Sequence, residues 1–94
     1  MGTYPTRYLG DMLTPWGWSQ GKTKLAEGVH SVSTAGHGGL LVSQKVAKAN
    51  LSTEALAVGE PWGRYYAFEE DCAYAAVFAD WPELFCRAVA LEGL

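Results

Sequence analysis

With 94 residues, 49% of them hydrophobic and 13% aromatic, the chain can bury one core but not two, and it is too rich in rings for a disordered tail. Its net charge is −3, and its seven Lys and Arg are scattered from Arg7 to Arg87, which argues against direct nucleic-acid binding and suits a basic protein partner or simple solubility. No stretch approaches the ~20 apolar residues of a spanning helix, and Met1 to Leu13 holds no signal-peptide core, so the expectation is a cytoplasmic protein without membrane contact.

In chain order, residues 1–13 show no clear period and read as an irregular arm. Gly-punctuated β-prone runs follow, as in a small antiparallel meander over 14–42. Strands are expected near Trp16–Gln20, Lys22–Ala26, Val29–Thr34 and Gly39–Val42, with turns at Gly21 and Gly28. Trp16 and Trp18 would then share one strand face. From Ser43 the pattern turns mainly helical. Ser43 caps "QKVAKA", and Ser52 caps "TEALAV", which Gly59 ends. "WGRYYAF" reads as a strand or an extended arm on the sheet. Glu69, Glu70 and Asp71 gather where a helix begins, favourable at the positive end of its dipole. Behind them Cys72, Ala75, Ala76 and Ala79 form a small-residue face suited to close approach on the sheet. Pro82 opens a last helix to Leu91. The fold class is α+β: one domain over 1–94, with a small antiparallel sheet of three to five strands followed by, and packed against, two to four helices.

Chemistry centres on "STAGHGGLLVS", Ser33 to Ser43. Gly36, Gly38 and Gly39 permit positive φ, so the turn can be tight or can press on a ligand. It leads into a strand rather than a helix and lacks the Lys and Thr of a phosphate-binding loop, so a hairpin connection is the plainer reading. His37 needs a partner to serve as a base, and Glu69, Glu70 and Asp71 are the candidates. Docked together, His37, Glu70, Asp71 and Cys72 would make a nucleophilic set, or His37, Glu70 and Asp71 a metal site. The plainer alternative has His37 pin the turn to the helix through one carboxylate, with Cys72 a buried small hydrophobe. No cofactor or metal is expected. Cys72 and Cys86 should be reduced thiols, and His30 an incidental strand residue. Most of the four tryptophans are expected in the core, since large rings dominate burial in small domains, while one or two exposed rings would make a protein-binding hot spot.

"TPWG" at Thr14–Gly17, "GVHSVSTAGHGGLLVS" at Gly28–Ser43 and "EEDCAYA" at Glu69–Ala75 together resemble an uncharacterised domain found in proteins of bacterial plasmids and phages. The resemblance spans roughly residues 14–82 and departs from the usual pattern at Ala35, where Pro is expected, and at Tyr74, where Trp is usual. It implies no activity, but it does imply a mobile-element setting, in which small acidic proteins are often inhibitors of host defence, such as anti-CRISPR proteins. The expected function is therefore a non-catalytic inhibitor of a host protein or nucleoprotein complex in the bacterial cytoplasm. It would act as a monomer or homodimer through Glu69, Glu70, Asp71, Asp80, Trp81 and Glu83. The alternative is a small hydrolase or transferase using His37 with Glu70 or Asp71, and Cys72.

Overall fold

A computed structural model describes residues 13–93, so the arm expected over 1–13 lies outside the described residues except for Leu13. Two short strands, β1 (Leu13–Thr14) and β2 (Gly17–Trp18), pair as a hairpin. Thr14 closes it, with its hydroxyl donating to the Gly17 carbonyl at 2.7 Å and accepting from the Trp16 N–H at 3.1 Å. The expected strand over Trp16–Gln20 is thus reduced to two residues. Trp16 sits in the turn and Trp18 is 63% exposed, so the two rings do not share a strand face.

The main sheet has five antiparallel strands: β3 (Gly21–Ala26), β4 (Val29–Ser33), β5 (Gly38–Ser43), β6 (Glu60–Trp62) and β7 (Tyr65–Glu69), in the order β3-β4-β5-β7-β6. Gly21 begins β3 instead of turning the chain, whereas Gly28 does turn it, at φ 78°. The stretch read as mainly helical also supplies β6 and β7, so two helices intervene in the chain before the sheet is completed. Their pairing could not be read locally: β7 reaches back across 22 or more residues to lie against β5 (Ser43↔Tyr65 through Gly39↔Glu69).

Register divides the sheet into two faces. Leu25, Val29, Leu40, Val42 and Phe68 join Ala47, Leu51, Ala55, Val77, Leu84 and Ala88 in the main core beneath the helices. A bulge between Lys24 and Ala26 lets the adjacent Leu25 and Ala26 both pack on that core. On the other face Val32, Leu41 and Ala67 are covered by Trp16, Trp62 and Tyr65. The Trp62 indole N–H donates to the Leu13 carbonyl at 3.2 Å, which fastens the small hairpin to this face. The central strand β5 is buried on both faces, as its unbroken apolar run implies.

The helical layer is α1 (Gln44–Asn50), α2 (Thr53–Val58), α3 (Ala73–Asp80) and α4 (Pro82–Glu92). Ser43 and Ser52 cap the first two as expected, accepting from the N–H groups of Val46 and Ala55. Of the small-residue face expected on α3, Ala76 packs on the core and the rest does not. Ala75, Ala79 and Cys72 are exposed, while Val77 is buried and Tyr74 and Phe78 pack beside it. Larger apolar side chains gain more by leaving water, and this sets the rotation of the helix.

Candidate functional site

The β4–β5 turn is closed by its own polar groups. The Thr34 hydroxyl donates to the His37 carbonyl at 2.6 Å and lies 3.2 Å from the His37 N–H, and the Thr34 N–H donates to the same carbonyl at 2.7 Å. Gly36, Gly38 and Gly39 are not in the left-handed region; among the described residues Gly17, Gly28, Gly63 and Gly93 are. Space explains Gly39 instead. A Cβ there would collide with the Phe68 carbonyl, approach Trp16 Cη2 to 2.7 Å and approach Glu69 Cα to 2.9 Å.

The turn and the "EEDC" segment do meet, but through backbone. The Glu70 N–H donates to the Gly38 carbonyl at 2.9 Å, one residue beyond the last β5–β7 pair, Gly39↔Glu69. The expected pin through the His37 side chain is not formed. His37 is exposed, and its imidazole makes no hydrogen bond or ion pair among the described residues. Nor do His37, Glu70 and Asp71 form a cluster: among the described residues no three His, Cys, Asp or Glu lie close enough to hold a metal ion. Cys72 is not a buried hydrophobe. It is an exposed free thiol at the N-cap of α3, where its side chain makes no capping bond.

Glu69 ends β7, Glu70 and Asp71 occupy the turn before α3, and all three are exposed. Asp80, Trp81 and Glu83 lie at the far end of α3, about 12 Å away at 1.5 Å per residue over eight residues. The six expected contact residues therefore form two clusters. In the second, Asp80 is engaged: it accepts from the Ser52 hydroxyl and N–H, and these bonds, the hydroxyl first, hold its carboxyl below its ordinary range. Trp81 is half-buried and donates its indole N–H to Glu83 at 3.3 Å.

Beside the first cluster lies a groove of about 210 Å³, walled by Trp16, Glu60, Ala67, Glu69, Cys72 and Ala73 among others. His37, Glu70 and Asp71 do not line it. Glu60 and Trp16 are not legible as groove residues in the sequence, because the register that sets Glu60 beside Ala67 and the packing of Trp16 on the Val32, Leu41 and Ala67 cluster both depend on distant partners. The pattern of one family matches residues 10–92, a span that takes in the "TPWG", "HGG" and "EEDC" motifs alike. The chain belongs to the DUF7007 family, a domain of unknown function. No curated protein and no solved structure matches it. No helix among the described residues of this DUF7007 domain is long and apolar enough to cross a membrane.

Proposed function

We propose that this DUF7007 domain is a non-catalytic, protein-binding inhibitor from a mobile genetic element. Its target would be a host defence complex in the bacterial cytoplasm, engaged in the anti-CRISPR manner. One observation carries the reading: Glu69, Glu70 and Asp71 project together from the end of the β5–β7 ladder, exposed and with no ion pair among the described residues. Adjacent like charges left uncompensated disfavour the free fold and favour a cationic partner surface, which steers encounter and fixes register. Nucleoprotein effectors carry such surfaces where they hold nucleic acid. The adjoining groove, with Trp16 and Ala73 in its walls, offers such a partner an apolar foothold beside the charges. The hydrolase alternative draws no support from the arrangement, since His37 stands apart from the groove that holds Cys72 and Glu69.

The test is an affinity pull-down of the tagged protein from bacterial lysate containing an active CRISPR system, read by mass spectrometry. The expected result is a stoichiometric nucleoprotein partner that is lost when Glu69, Glu70 and Asp71 are changed together to Lys. Retention of that partner by the folded triple variant overturns the electrostatic reading.

A further inference from the structure

The opposite end of the same ladder has the opposite character. Where Ser43 pairs with Tyr65, the β3–β4 turn, the start of α1 and the β6–β7 turn surround a groove of about 580 Å³. Its walls include Lys24, Lys45, Arg64, His30, Tyr65 and Asn50. In sequence these cations are scattered; in the fold, three of the chain's seven Lys and Arg share one cavity. Glu27, the carboxylate of the lining, pairs with Lys24 at 3.1 Å at a largely exposed site, a weak bond that a bound anion can replace. Lys45 and Arg64 are exposed and have no acidic partner among the described residues. Lys22 adds a further charge on the same sheet face, opposite Val32 and two residues along the strand from Lys24.

Two features show more than a basic surface. His30 Nδ1 is buried with no hydrogen-bond partner, alone among the side-chain atoms of the described residues. Buried polar atoms in folded proteins are nearly always satisfied, so this nitrogen calls for a group that the described residues do not supply. Beside it the Tyr65 ring meets the imidazole edge-on, with centroids 6.4 Å apart, and forms an aromatic wall.

We propose that this groove is an anion site that takes a small organic phosphate of nucleotide size. Its volume falls within the range of small-molecule sites. Arg64, Lys45 and Lys24 supply charge-assisted donors to phosphate oxygens. His30 and Tyr65 supply a polar atom and a ring face to the organic part. A nucleic-acid strand fits less well, because a backbone leaving the groove along the ladder meets Glu69 four residues away, about 13 Å at the strand rise.

The test is an NMR titration of the isotope-labelled full chain with ADP, with adenosine and with a single-stranded oligonucleotide. ADP is expected to give saturable shifts centred on Gly28, His30, Lys45 and Arg64, and adenosine to give none of comparable affinity. The Lys45→Glu, Arg64→Glu double variant should weaken ADP at least about tenfold, while Lys48→Glu, outside the groove, leaves it unchanged. Both changes fall on exposed side chains, and amide dispersion reports whether the fold is kept. His30→Phe keeps the ring and removes the nitrogen, and should weaken ADP without altering charge. Absence of saturable ADP shifts, shifts that map elsewhere, indifference to charge reversal, or tighter oligonucleotide binding that spreads beyond the groove each overturns the proposal.

Discussion

Asp80 accepts two hydrogen bonds from Ser52, one from its hydroxyl at 2.6 Å and one from its N–H at 2.9 Å, while that same hydroxyl accepts from the Ala55 N–H at 3.1 Å. The start of α2 is thereby tied to the end of α3. Ser52→Ala removes the cap and the tie together and should cost about 1 kcal/mol, read by urea denaturation. Asp80 is held below its ordinary value of 3.8, so its contribution is present above that pH and is lost as pH falls through the lower folded value. Melting temperature should therefore drop less steeply with acid in Ser52→Ala than in the parent chain. Parallel acid limbs would show that the tie contributes nothing.

His30 carries a linkage of the same sign at higher pH. Burial first, then Lys22 and Lys24, lower its pKa from 6.5, with Glu27 opposing them. As pH falls through 6.5 the unfolded chain takes up a proton before the folded one does, so stability declines until the folded value is reached. His30→Phe should flatten that decline, measured by urea denaturation at about pH 7.5 and about pH 5. An unchanged slope would assign the decline to other groups.

Gly39→Ala should destabilise by roughly 1–3 kcal/mol, because the new methyl meets backbone on two sides. Removing the Trp16 ring as well should not rescue it, since the Phe68 carbonyl and Glu69 Cα remain in place. Full rescue in the double variant would locate the conflict at the ring alone.

Cys72 and Cys86 are both free and exposed. Two thiols per chain should react with a disulfide reagent in the native protein without denaturant. A thiol that reacts only after unfolding would contradict the exposed position given to it.

Local signals were the legible ones. Ser43 and Ser52 declared their helices because a cap is satisfied within three residues, and Pro82 marked the start of α4 for the same local reason. The alternation in β4 and the apolar run of β5 mark two inner strands of the α+β fold with bounds within one residue of those observed. What failed depended on distant partners. The rotation of α3 follows the packing of Val77, Tyr74 and Phe78, which carry no label of their own in a run rich in alanine. "HGG" and "EEDC" meet as the sequence suggests, but not through His37, because a backbone bond from Glu70 to Gly38 leaves no mark on side-chain identity. The basic groove was hidden for a simpler reason: Lys24, Lys45 and Arg64 lie about twenty residues apart in the chain.

The sheet order places β3 and β6 at its two margins among the described residues, and each is ill-suited to accept another strand. β3 presents Lys22 and Lys24, breaks its own regularity at the bulge, and has its Leu25 carbonyl taken by Arg87 at 2.8 Å. β6 is three residues long with Pro61 at its centre, which has no N–H to donate. Growth of the sheet from one molecule into the next is thus blocked at both margins, so a homodimer would form through side chains or helices. The same blockade is expected to keep the domain free of edge-to-edge aggregation at high expression.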